Sequence, residues 1–408
     1  MSVWDDVVGQ EATVDVLKAA AADARRILAA AEAAPGAADG PEPTGAMTHA
    51  WLITGPPGSG RSVAARAFAA TLQCTDPGEP GCGACQGCRT ALAGTHADVD
   101  VVATEKVVIQ IDDVRSLIGI AQRAPALGRW RVVLVEDADR MAERTTNVLL
   151  KAIEEPPPRT VWLLCAPSPD DVIATVRSRC RGVRLRIPAA QDVAALLTRR
   201  DGIDAQAALA AAREAQSHIG RARHLARDPG ARARRDHLLS VPSAVRGVGD
   251  AVLHAQRLVD DSQEAAKRAT EERDAAEQAE LVRALGVEEG GRVPPALRAA
   301  LRDLTEDQKR RAKRAQRDVL DRDLGDLLSF YRDVLVTQLG ADIDLVNATH
   351  AGAVADLAAA TTPAQTVARI DAIGVARRRI AANVTPLLAL EAMMVALRPQ
   401  HGSRARNT

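Results

Sequence analysis

The chain has 408 residues, 47% of them apolar and 26% charged, and its 53 basic residues are matched by 53 acidic ones. That length allows two or three domains with cores of their own, and the balanced charge excludes whole-molecule attraction to DNA or anionic lipid, leaving only local basic faces. No apolar run reaches the ~18 residues of a membrane helix, and MSVWDDVVGQEAT lacks the basic stretch and apolar core of a secretory signal, so a cytoplasmic chain without a membrane partner is expected.

Residues 1–187 alternate short apolar runs with helical stretches, the pattern of an α/β domain with a parallel sheet. AWLIT (50–54), VDVV (99–102), RVVLVE (131–136), VWLLCA (161–166) and VRLRI (183–187) are the five expected strands, most of them apolar on both faces as buried parallel strands are. Helices are expected over 60–73, 111–123, 143–153 and 170–178, the second opening on the first-turn carboxylates Asp112 and Asp113. Residues 31–48, rich in Ala, Gly and Pro, read as a flexible insertion. Residues 188–229 hold short amphipathic helices and form a small helical lid. From 230 to 400 the chain is all helix by its spacing, with an alternating charge run at 260–280 read as a solvated helix face, and 401–408 is a tail.

Within the first region GPPGSGRS (55–62) follows a strand and opens a helix. Gly55, Gly58 and Gly60 let backbone N–H groups converge on an anion at the helix N-terminus, which would suit the phosphates of ATP or ADP, with Ser62 on Mg²⁺. A glycine turn without ligand has the same spelling. Arg61 stands where a lysine ammonium normally reaches the phosphates, and its wider planar fork retains charge while impairing turnover. After the third strand come Glu136 and Asp137, the reverse of the aspartate-then-glutamate order that holds metal and polarises water. They are either remnants of that pair or strand-end acids paired with nearby arginines.

Cys74, Cys82, Cys85 and Cys88 are spaced C-x7-C-x2-C-x2-C, with Gly81, Gly83 and Gly87 allowing tight turns between them. Four clustered thiolates predict a closed tetrahedral zinc site, structural because no position is left for water. His96 reads as a hydrogen-bonded loop residue rather than a ligand, and Cys165 as core packing. In TVRSRC (175–180), Arg179 is the candidate arginine finger, a group that stabilises a transferring phosphate, with an unspecific basic rim of Arg177 and Arg181 as the alternative.

VVGQ, GPPGSGRS, the four-cysteine insert, GTHADVD (94–100), VVLVEDADRM (132–141), NVLLKAIEEPP (147–157) and SRC together resemble the bacterial clamp-loader family of AAA+ ATPases over about residues 1–230. The resemblance implies an AAA+ P-loop domain with a zinc insert, a helical lid and an all-α collar that joins subunits into a ring. Its partners would be the gamma/tau and delta subunits, and through them the sliding clamp and primed DNA. Arg61 and the Glu136-Asp137 order depart from the motor subunits. So does the absence of a polar first sensor at Ala166 or Pro167, and Gly220 stands where motors carry a second sensor arginine, with Arg221 next to it. These departures favour a non-motor subunit that lends Arg179 in trans and has little ATPase of its own. An active motor and a stand-alone zinc-dependent DNA-binding module are the alternatives.

Overall fold

The computed structural model describes residues 2–33, 45–102, 109–127, 129–141, 143–284 and 295–398. The chain separates into two compact units, 1–227 and 228–408. The first unit opens with α1 (Glu11–Ala33) and continues through β1 (Ala50–Thr54), α2 (Arg61–Leu72), α3 (Gln86–Leu92), β2 (Val99–Val102), α4 (Ile111–Ala121), β3 (Arg131–Val135), α5 (Glu143–Glu154), β4 (Thr160–Ala166), α6 (Ala174–Arg177) and β5 (Arg181–Arg184). The five strands are all parallel, in the order β2-β3-β4-β1-β5. This is the five-stranded parallel sheet expected from the sequence.

Alternation explains why the interiors of β1, β3 and β4 are apolar on both faces. Trp51, Ile53, Val132, Leu134, Leu163 and Cys165 face one core with α1 and α2. Leu52, Val133, Val135, Trp162, Leu164 and Ala166 face the other with α4 and α5. Each strand therefore loses water on both sides, and each buried large side chain contributes about 1.5–3 kcal/mol.

Three expectations need correction. The fifth strand lies at Arg181–Arg184 rather than 183–187, because β1, its partner, ends at Thr54 opposite Arg184. Beyond it Arg186 exchanges hydrogen bonds with the Gln10 side chain instead, at 3.0 and 2.7 Å. The helix expected over 170–178 is broken into a 3-10 turn at Pro169–Asp171 and α6, since Val172 and Ile173 are extended between them. Residues 31–33 end α1, and Met47 is buried with its N–H bound to Asp23 at 3.1 Å, so only 34–44 of the expected insertion remain, outside the described residues together with the tail at 401–408.

The segment GTHADVD is a structural brace. Asp98, fully buried, pairs with Arg131 at 3.1 Å, and its backbone N–H donates to His96 Nδ1 at 3.0 Å, as expected of a loop histidine. Burial holds His96 below its ordinary 6.5; Asp98 opposes that shift and Arg131 adds to it. The unfolded chain thus binds this proton more tightly, so the stability due to neutral His96 is complete above 6.5 and declines as the pH falls below it. The melting midpoint is expected to fall between about pH 7 and 5 more steeply for the natural chain than for His96→Gln, and parallel slopes in a thermal melt would refute this.

Helices α7 (Ala190–Asp201), α8 (Ala205–Glu214) and α9 (Ile219–Arg227) complete the first unit. The second unit is all helix: α10 (Pro229–Ala244), α11 (Val248–Ala284), α12 (Pro295–Leu339), α13 (Ala351–Ala360), α14 (Pro363–Ala381) and α15 (Pro386–Leu397). The 260–280 charge run lies on α11, which runs antiparallel to α12. Arg311 binds Asp274 and Glu277 at 2.9 Å each, and Gln316 reaches Ser262 at 3.2 Å.

Candidate functional site

The glycine loop leaves the C-terminal end of β1. Gly58 and Gly60 have φ of 83° and 91°, a region that favours glycine, and Gly60 precedes α2 without any side-chain cap. The first-turn N–H groups of α2 are left for an outside acceptor, as in an anion cradle. Ser62 is half-buried in that first turn. Inside the loop Ser59 is buried and its hydroxyl has no hydrogen-bond partner.

The charged groups around this cradle are turned on one another. Arg61 bends back to donate a guanidinium N–H to the Gly55 carbonyl. Glu136 accepts from both Nε and Nη2 of Arg66 at 2.9 Å, a pairing with a nearby arginine. Asp137 lies 3.6 Å from Arg140. Burial raises the Asp139 carboxyl, with Asp137 adding to the shift and Arg140 and Arg61 opposing it. Arg66 was not among the residues singled out from sequence, although it sits one helical turn beyond Ser62 and so on the same face of α2. Ala166 ends β4 beside Thr54 and brings no polar side chain there. Cys165 is fully buried in the core, as read, and burial pushes its thiol up to about 12.

Arg179 stands at the other end of the sheet. It comes two residues before Arg181, the partner of Trp51, whereas the loop departs after Thr54. Three parallel residues at about 3.3 Å each put about 10 Å of strand between those levels. The Arg179 side chain is 40% exposed, forms an ion pair with Glu154 at the end of α5, and donates to the Thr175 carbonyl at 2.7 Å. Its neighbours are engaged within the chain: Arg177 pairs with Asp170 at 2.7 Å, and Arg181 lies 5.2 Å over the Trp51 ring while binding the Ala46 carbonyl at 2.6 Å.

The four cysteines predicted as ligands come together. All four sulfur atoms lie within 4.8 Å of one another, and Cys74 and Cys85 are 3.9 Å apart. Tetrahedral zinc with sulfurs at about 2.3 Å requires edges of about 3.8 Å, so the spacing suits one ion. Gly81 and Gly83 have positive φ, and a Cβ on Gly87 would stand 2.1 Å from the Gln73 carbonyl oxygen, which makes all three glycines necessary. Backbone N–H groups aim at the sulfurs: Cys85 donates to Cys82 at 3.3 Å and Cys88 to Cys85 at 3.4 Å. Burial pulls the Cys85 thiol upward, but the Cys88 and Thr75 donors outweigh it and bring it down to about 6. Cys74 and Cys88 are buried and belong to the core that covers α2. His96 is not part of the cluster.

Residues 42–189 match the family model described as DNA polymerase III, delta subunit. A DNA polymerase III subunit delta' from Pseudomonas aeruginosa is 41% identical over 135 residues, which are 32% of this chain and 41% of the relative. The Escherichia coli subunit delta' is 38% identical over 168 residues, 40% of this chain and 50% of the relative. By these matches, residues 42–189 are similar to the delta prime clamp-loader family of DNA polymerase III. A gamma/tau subunit from Mycobacterium bovis is also similar, at 33% over 157 residues, 38% of this chain and 27% of the relative. The chain thus spans half or less of the length of these curated relatives, and the family match lies within the first unit. Among the described residues no helix is long and apolar enough to cross a membrane.

Proposed function

We propose that the chain is the delta prime subunit of a bacterial clamp loader: a non-motor member of the ring that gamma/tau and delta complete. Motor subunits would bind ATP, the ring would open the sliding clamp and place it on primed DNA, and hydrolysis would release it. The observation that carries this reading is the state of the P-loop. Its glycine cradle is present, yet Arg61 is spent on Gly55 and Glu136 on Arg66. A carboxylate held by a guanidinium neither completes a metal shell nor polarises water. The higher identity to delta' relatives than to gamma/tau supports the same choice.

Arg179 is then the catalytic contribution, made in trans. Its position at the sheet end opposite its own loop supports a role toward a neighbour's triphosphate rather than one bound by its own chain. The second unit, 228–398, is the collar that holds the ring together, α7 to α9 are the lid, and the four thiolates hold a structural zinc.

Mixing the chain with gamma/tau, delta, clamp and primed DNA tests the reading. Clamp loading should require this chain, while the chain alone should release phosphate at well under ~1 s⁻¹, the low end for ordinary enzymes. Faster turnover by the isolated chain would make it a motor. DNA retention by the chain alone, with a steep salt slope, would make it a DNA-binding module instead.

A further inference from the structure

The lid reaches the glycine loop through a residue that the sequence alone did not single out. α9 is preceded by Gln216 and Ser217, two successive non-glycine residues with φ of 50° and 62°. Ordinary side chains rarely adopt that conformation, and two in a row mark a turn imposed by its surroundings. It is pinned by Gln216 N–H on the Arg213 carbonyl at 2.9 Å and Ser217 N–H on the Ala212 carbonyl at 2.8 Å.

The turn delivers His218 onto the loop. A Cβ added to Gly58 would lie 2.7 Å from both the Cα and the Cβ of His218 and 2.5 Å from its Cγ. On the other side, a Cβ on Gly220 would lie 3.6 Å from the imidazole Cε1. The ring therefore lies between two glycines: one in the phosphate cradle, the other where a motor would carry its sensor arginine. It is also fixed in place. His218 Nδ1 accepts the Arg221 N–H at 3.3 Å, which caps α9, and the His218 N–H donates to the Ala215 carbonyl at 3.0 Å.

An anion in this loop would need the space in front of Gly58 and the N–H groups that follow it. We propose that His218 is the residue that sets nucleotide occupancy: its imidazole, carried by the lid and seated on Gly58, excludes the phosphates of ATP or ADP from the cradle. The inference rests on reading the loop as a blunted nucleotide site, and it adds that the obstruction is steric and comes from the lid, not from Arg61 alone.

Binding of a fluorescent ATP analogue with Mg²⁺ to the full chain tests this, with the natural chain compared with His218→Ala and His218→Asn. Asparagine retains a helix cap, so it controls for loss of α9 structure. Both variants should bind the analogue at least about tenfold more tightly than the natural chain, a change of about 1.4 kcal/mol, with unchanged far-ultraviolet dichroism. Equal affinity in all three chains, whether tight or undetectable, would overturn the proposal, and so would a gain only where helix content is lost. None of these outcomes depends on Arg179, so the subunit assignment stands or falls separately, on clamp loading by the reconstituted ring.

Discussion

Arg179→Ala is expected to lower hydrolysis at the adjacent motor site by about 10³, or about 4 kcal/mol of barrier, while the ring still assembles. A guanidinium stabilises charge spread over the equatorial phosphoryl oxygens by a planar fork, which explains both the size of the effect and why Arg179→Lys should rescue little of it. In the isolated chain the fork is held by Glu154 and the Thr175 carbonyl, an arrangement that fixes a long side chain before the neighbour arrives. Because other motor sites in the ring keep their own partners, steady-state turnover of the whole loader will fall less than the single-site rate. Single-turnover hydrolysis in rings with one competent motor site next to this chain is the measurement that isolates it. Arg177→Ala separates the finger from a general basic rim: Arg177 is tied to Asp170, and its loss should leave the rate near normal. If Arg179→Ala rings hydrolyse like natural ones, or Arg177→Ala is equally damaging, the finger assignment fails.

The ease with which this architecture is read from sequence differs by interaction range. β1, β3 and β4 announce themselves because a strand covered on both faces is apolar at successive positions and not only at alternate ones. The cysteine cluster is equally legible, since its four thiols lie within one short stretch whose glycines leave few other conformations. β5 is misplaced by two residues at its start and three at its end because nothing local records where its partner β1 stops. The helix expected over 170–178 fails for a similar reason: Pro169 and the extended Val172 and Ile173 divide a stretch whose composition suits a helix. Least visible are the long-range pairings around the glycine loop. Arg66 meets Glu136 across 70 positions, and His218 meets Gly58 only after the chain has built the whole sheet and two lid helices. The sequence names an altered loop at Arg61, but the groups that pack against it are brought there by tertiary folding.

Removal of the metal should have the largest effect on stability. Elemental analysis is expected to give one zinc per chain, falling to near zero in Cys85→Ser, whereas Cys165→Ser, changed on a buried strand away from the cluster, keeps its metal. Free energies of about 10–16 kcal/mol accompany zinc binding by small finger peptides that are unfolded without it. Here part of that is replaced by the core, because Cys74 and Cys88 are packed with the side chains of α2 and would stay buried as thiols. The expected loss is therefore several kcal/mol, which lowers the melting midpoint of a unit of this size by on the order of 10 °C. It should be local at first. The Gly81 carbonyl accepts the Val3 N–H at 3.0 Å, and the Gly87 backbone lies against Gln73, so loosening the 74–88 loop frees the N-terminal segment and the end of α2 before the sheet opens. Hydrogen exchange would show this as early loss of protection over 2–7 and 70–92 in the chelated chain, with β1, β3 and β4 still protected. A chain purified without metal that melts like the zinc-bound one, with the same exchange pattern, would mean that the four thiols pack as a small apolar core and hold no ion.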